Sequence, residues 1–200
     1  MKKLSAILVL VPALLLLGGC GESKDETTAT AIACTPEQLP TQTKGTLTVA
    51  TDKPAYPPYF EDDDPTNGEG FESAVAYAIA RQLGYPPAKV EWTVEPFNSS
   101  YAPGPKDFDF DVNEISITPP REKVVDFSSP YYTANQAVVA LKSSDAAKAT
   151  SIADLQDAKI GVQIGTTSLS AVEEVIDPGE QPQVFNSSND VVTALKNEQI

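Results

Sequence analysis

The chain has 200 residues, 41% of them hydrophobic, enough to bury a substantial core in one or two domains. Its 28 Asp and Glu against 14 Lys and Arg give a formal charge of -14, which repels phosphate backbones and argues against a nucleic-acid partner. The absence of histidine removes Ser-His and Cys-His nucleophilic schemes and the commonest metal ligand, so no metal or cofactor is expected.

The first twenty residues, "MKKLSAILVLVPALLLLGGC", begin with Lys2 and Lys3, run apolar from Leu4 to Leu17, and place two glycines before Cys20. A membrane span needs roughly 20 apolar residues, so this shorter stretch reads as an export signal. The "LGGC" ending resembles the lipobox of bacterial lipoproteins, which implies cleavage before Cys20, diacylation of its sulfur and attachment to the outer face of the cell membrane. Residues 1–19 are then a signal peptide. Residues 20–44, rich in Thr, Glu and Pro without sustained periodicity, read as a flexible tether. Within it Cys34 would meet an oxidising compartment; with Cys20 acylated, it is either free or paired with a residue beyond Ile200, and the latter is expected.

From Thr46 to Thr51 the alternation of apolar and β-branched residues predicts a strand, ending at Asp52. "EDDDPTNGEG" predicts a tight turn with Asn67 and Gly68 at positive φ. It fails as an EF-hand, because Pro65 and Ala74 would fall at ligand positions that need oxygen donors. "GFESAVAYAIARQLG" predicts a helix that buries Phe71, Val75, Ala78, Ile79 and Leu83 and stops at Gly84. "AKVEWTVEPF" and "KDFDFDVNEISIT" predict two more strands, the latter with Phe108, Phe110 and Val112 on one apolar face. Strand, helix, strand implies a right-handed crossover and a parallel pair. "REKVVDFSSPYY" is a short helical turn leading into an irregular stretch, and "NQAVVALK" a buried strand. After a polar stretch with a short helix at "SIADLQ", a second α/β series follows: "KIGVQIG", helix "TTSLSAVEEVI", "QPQVFN", helix "SSNDVVTALKNEQI".

In such sheets ligands sit at the carboxyl ends of the strands. Three loops meet that condition: "TDKPAYPPYF", "SITPPRE" and "QIGTTS". In the second, Thr118 is a plausible N-cap and Pro119 a first helical residue. Arg121 then stands in a first turn, where the helix dipole disfavours a cation unless an anion lies beside it. Its planar fork suits a carboxylate. In the third, Gly165 ends a strand and Thr166, Thr167 and Ser168 open a helix, a pattern that serves anion binding or plain capping. The first offers Asp52, Tyr56, Tyr59 and Phe60, a set able to clasp a cation or an apolar side chain, or simply to pack.

The combination "GEGFESAVAYAIARQLG", "ISITPPREKVVDFSSPYY" and "IGVQIGTTS", within residues 45–200, resembles the type 3 bacterial solute-binding proteins, the extracytoplasmic receptors of polar amino-acid ABC transporters. The resemblance implies an α/β, two-lobed periplasmic-binding-protein type II fold with a hinge: lobe 1 at residues 45–133, and a hinge strand with the start of lobe 2 at residues 134–200. It implies a monomer that captures a small solute, most readily an amino acid, and docks on membrane permease subunits. By the same resemblance Arg121 grips the ligand carboxylate, Ser116 contacts it by hydroxyl and backbone, and Thr167, with Thr166 beside it, completes the clamp. Tyr56 stacks over the ligand side chain, and Asp52 faces a polar or basic one.

Two departures stand out. Where the family usually has Gly or Ser, two positions before Ser116, this chain has Glu114, expected on the same strand face; it could pair with a ligand ammonium, select a cationic ligand or face solvent. The family's ammonium-binding acid and return crossover would follow "ALKNEQI", so the second lobe is expected to be truncated. The competing readings are a ligand-sensing partner of a membrane kinase, and a dehydratase-like enzyme on the same scaffold with Glu114 and Asp52 as its acid/base pair.

Overall fold

The computed structural model describes residues 35–200; the export signal, the lipidation site at Cys20 and Cys34 lie outside the described residues. Strand β1 (Leu47–Thr51) is the centre of a three-stranded parallel sheet in the order β2-β1-β3, with β2 at Val90–Val94 and β3 at Phe110–Asp111. Leu47 pairs with Val90 and Thr51 with Val94 along one edge, and Val49 pairs with Phe110 along the other. A second parallel sheet joins β4 (Gly161–Gln163) to β5 (Gln183–Phe185). Each sheet has its own core. Leu47, Val49, Phe60, Ala76, Ala80, Tyr85 and Val112 are buried on the first, and Leu155, Val172 and Ile176 on the second. Burying one ring such as Phe60 contributes about 1.5–3 kcal/mol. All the described residues belong to one compact unit.

Helix α1 (Phe71–Gln82) forms where the sequence predicts it but buries a different face. Glu72, Ser73, Ala76 and Ala80 face inward, while Phe71 and Ile79 are 39% and 36% exposed. Two alanines let the helix lie close on the sheet, and the two polar residues are satisfied there: Ser73 donates to the Pro65 carbonyl at 2.8 Å, and Glu72 accepts three hydrogen bonds. Phe71 instead joins an aromatic cluster with Tyr59, Tyr131 and Tyr132, its ring centre 5.3 Å from that of Tyr132. Gly70 permits the entry to α1: its φ is +89, and a β-carbon there would lie 2.5 Å from the Tyr59 carbonyl oxygen.

Several further expectations are corrected. In the acidic turn Asp62, Asp63 and Gly68 take positive φ, and Asn67 instead closes a 3-10 turn, Pro65–Asn67. The long strand expected through Thr118 is only two residues of β-structure, because Glu114 adopts φ +52 and turns the chain out of the ladder. The helical turn after it is a 3-10 turn at Arg121–Lys123, with Pro120 rather than Thr118 at its start; Thr118 contributes only its carbonyl, which accepts from the Glu122 N–H at 3.0 Å. "NQAVVALK" is irregular, with Val138 and Val139 55% and 77% exposed. A strand needs a ladder partner for its N–H and C=O groups, and none of the described strands pairs with it.

The tether is also shorter than expected, since residues 35–44 dock on the first sheet. Leu39 packs on the core, Tyr85 Oη donates to the Pro36 carbonyl at 3.1 Å, and the Gln42 N–H donates to Asp109 Oδ1 at 2.7 Å.

The second sheet carries α3 (Thr167–Ala171), continuing as a π-helix over Val172–Ile176, and α4 (Ser188–Lys196), capped by Ser187 accepting from the Asp190 N–H. Asp177, in the left-handed region at φ 49, ends the π-helical turn before Pro178.

Candidate functional site

The loops leaving the carboxyl ends of β1, β3 and β4 converge, as the sequence indicates, and the loop after β2 joins them. Together with the segment around Tyr131 they enclose a cleft of about 710 Å³. It is lined by residues that follow the strands of both sheets, among them Asp52, Tyr56, Phe97, Glu114, Ser116, Arg121, Thr166 and Thr167. A groove of about 770 Å³ beside the second sheet has a mainly aliphatic lining, including the exposed Val138 and Val139, with Asp145 and Lys159 as its charged residues.

Arg121 is the anchor of the cleft. It is 7% exposed, and its guanidinium donates to the Ser116 carbonyl and to the Gly165 carbonyl, both at 2.8 Å. The first bond is local and the second crosses to the loop after β4. Two rings flank the cation: its central carbon lies 4.2 Å from the ring centre of Tyr101 and 5.5 Å from that of Phe97. Both rings belong to the loop after β2, on or beside the one-turn helix α2 (Phe97–Ser100). Carbonyl and π-face contacts neutralise no charge, and among the described residues no acid is bonded to this buried cation.

The opposite wall is a cluster of hydroxyls and amides. Thr166 caps α3: its Oγ1 donates to the Gln163 carbonyl at 2.8 Å and accepts from the Leu169 N–H at 3.2 Å, so its hydroxyl has the capping role. Thr167 Oγ1 accepts from Gln136 Nε2 at 3.1 Å, and Ser168 donates to Gln136 Oε1 at 2.8 Å. Gln136 thus holds the hydroxyl pair from the segment that connects the two sheets. Tyr101 Oη donates to the same Gly165 oxygen that Arg121 uses, at 3.0 Å.

Acids dominate the rest of the wall. Glu72, 1% exposed at the start of α1, accepts the Glu114 N–H on both oxygens at 3.0 and 3.1 Å, and the Tyr131 O–H at 2.5 Å. Desolvation pushes its carboxyl up, against the lowering effect of these donors. Desolvation and then the nearby Glu72 charge raise Glu114 to about 7, although it keeps contact with solvent in the cleft. The Tyr131 hydroxyl is raised by burial and by its bond to Glu72, so it acts as a donor. Asp52 Oδ1 accepts its neighbour's N–H, that of Lys53, at 2.7 Å. Burial raises the Tyr56 hydroxyl, opposed by a contact with the Asn189 backbone of α4.

Every site residue expected from the sequence that lies among the described residues lines this cleft: Asp52, Tyr56, Glu114, Ser116, Arg121, Thr166 and Thr167. Sequence reasoning missed Phe97, Tyr101, Glu72 and Gln136. The signal for the first two was topological, because the loop after β2 opens on the same sheet edge as the loops after β1 and β3.

Residues 47–200 match the family model of bacterial extracellular solute-binding proteins, family 3. The chain belongs to this family. It is 33% identical over 141 residues to the arginine-binding extracellular protein ArtP of Bacillus subtilis (strain 168), an alignment that covers 70% of this chain and 53% of ArtP. The chain thus spans about half the length of that relative. Among solved structures, this solute-binding protein is similar to an ancestral arginine-binding protein bound to glutamine, with 34% identity and a TM-score of 0.65 over 79% of this chain and 68% of the other. It is equally similar to an ancestral amino acid-binding protein, AncCDT-1, described as a precursor of cyclohexadienyl dehydratase, with 35% identity and a TM-score of 0.64 over 77% and 67% of the two chains. The α/β fold expected from the sequence, in two lobes, is the fold of these neighbours.

Proposed function

We propose that this solute-binding protein is the extracytoplasmic receptor of an ABC importer and captures a basic amino acid between its two sheets. The observation that carries the reading is Arg121, a buried guanidinium with no acid bonded to it among the described residues, facing a hydroxyl-bearing wall across a cleft lined by three carboxylates. One cation calls for one anionic group on the ligand. Asp52 and Glu114 call for cationic groups, and Tyr56 and Phe97 offer faces to an extended side chain. An amino acid with a basic side chain has all of these. The arginine-binding names of relatives point the same way.

Arg121 takes the α-carboxylate, with Ser116 and Thr167 beside it, while Thr166 supports the wall as a cap. Binding shifts an open and closed equilibrium, because groups on both lobes engage together only in the closed form. Residues 45–133 act as lobe 1, and residues 134–200 supply the hinge crossing and lobe 2 residues. The receptor is a monomer, held by lipid at Cys20 near the permease subunits that receive its ligand; two acyl chains suffice for such an anchor. It has no catalytic role.

The test is calorimetric titration of the full chain with L-arginine, L-histidine, L-glutamine and a dicarboxylate. A dissociation constant of order micromolar, about -8 kcal/mol, for a basic amino acid supports the reading. Binding of the dicarboxylate alone contradicts it, and turnover of any bound compound would establish the dehydratase-like alternative.

A further inference from the structure

Glu114 takes a backbone conformation that L-residues avoid, φ +52, and a buried acid holds it there: both Glu72 oxygens accept its N–H. That turn puts Glu114 on the cleft wall. Its nearest acid is already engaged: Glu72 accepts from Glu114 and Tyr131, whereas Asp52 accepts only the Lys53 N–H, on one oxygen. The Glu114 carboxyl forms no hydrogen bond with the described residues, so both of its oxygens are open to a ligand.

The titratable groups around it come from every adjoining element. Glu72 approaches from α1, Asp52, Tyr56 and Tyr59 from the loop after β1, and Arg121 from the 3-10 turn. Tyr131 and Tyr132 come from the connecting segment, and Asp190 of α4 acts on Tyr56. The loop after β4 brings only the uncharged Gln163, Thr166, Thr167 and Ser168. Among the described residues no lysine lines the cleft.

We propose that Glu114 is the specificity-determining residue of the cleft, the carboxyl group that receives a cationic group of the ligand. The proposal rests on the reading of this cleft as an amino-acid site. Before binding, the O–H of the Glu114 acid form is intact in part of the population near neutral pH, since burial and Glu72 raise this carboxyl to about 7. A cation beside it favours the ionised form, so the O–H bond breaks and the proton passes to buffer. Affinity for a cationic ligand then rises with pH through neutrality, whereas affinity for an uncharged side chain does not.

The experiment titrates L-arginine and L-glutamine into the full chain near neutral pH, in two buffers of different ionisation enthalpy, for wild type, Glu114→Gln and Glu114→Gly. The glycine variant suits the positive φ and controls for folding. Expected are proton release with arginine in wild type, its loss in both variants, and an arginine-to-glutamine preference lowered about tenfold, the equivalent of one pKa unit. An unchanged preference without proton release, in a wild type that binds arginine, overturns the role of Glu114 and leaves the receptor reading in place. A wild type that binds neither amino acid overturns both.

Discussion

Arg121 donates to the carbonyl of Gly165 at 2.8 Å, across 44 positions of sequence, and so joins the loop after β3 to the loop after β4. A guanidinium has five N–H donors, and the two bonds to carbonyls leave donors for a ligand. The residue proposed to bind the ligand therefore also holds the two walls together.

Replacing Arg121 by Lys keeps the charge but loses the fork and the planar stack on Tyr101. Hydrogen bonds to charged groups contribute about 1.5–3 kcal/mol, so L-arginine affinity should fall about 10- to 100-fold by calorimetry. Affinity within a factor of about two of wild type would mean the fork is not used.

Gly165→Ala places a β-carbon against Asn98 Oδ1 and 2.7 Å from Tyr101 Oη, at a φ of +75 that disfavours any side chain. Both obstructing atoms lie on the loop across the cleft, so the cost falls on approach of the walls. Ligand affinity is expected to drop at least about tenfold, or 1.4 kcal/mol. Adding Asn98→Ala should restore part of it; no recovery in the double variant would place the damage in the backbone instead.

Both carboxyl oxygens of Asp111 are buried without a hydrogen-bond partner among the described residues, and desolvation, with Glu72, Glu95 and Asp52 nearby, raises the group to about 8. In the unfolded chain it ionises near 4. Between those values the folded state binds the extra proton, so this group's contribution to stability falls as pH rises from about 4 to about 8. Asp111→Asn should remove that slope: its melting temperature should exceed wild type above neutrality, and the gap should close toward pH 4. Parallel curves for the two proteins would show that Asp111 is satisfied.

Asp109 accepts the N–H of Gln42 on one oxygen and that of Thr48 on the other, each at 2.7 Å. It therefore ties the docked N-terminal stretch to β1. Asp109→Ala should cost about 1–3 kcal/mol in urea unfolding, and a chain beginning at Gly45 should lose a similar amount. Undiminished stability in both would make the docking incidental.

The sequence was most legible where local pattern and tertiary role agree. The β-branched alternation of Leu47–Thr51 is a strand, and the restart of the pattern near Gly161 is a second sheet with its own core. Periodicity misled at α1, because Phe71 serves the aromatic cluster at the cleft and the buried Glu72 is satisfied by partners 42 and 59 residues away. No local rule anticipates such partners. Val138 and Val139 read as strand but lack a ladder neighbour among the described strands, which is a property of the surroundings. At the site, Arg121 was legible through its odd place at a helix start, and Glu114 as a charge where a small residue was expected. Phe97 and Tyr101 were not, since a ring after a strand looks the same whether it packs or stacks on a cation.

Trp92, on β2 opposite Val49, meets Phe60 edge-on at 6.0 Å and donates from Nε1 to Tyr77 Oη at 3.3 Å, apart from the residues that line the cleft. The chain's single indole is thus a built-in optical label for the first sheet. Emission changes on heating should follow the melting of that layer, while occupancy between the walls should leave the spectrum nearly still, so a fluorescence trace and a calorimetric trace of the same sample would time two different events.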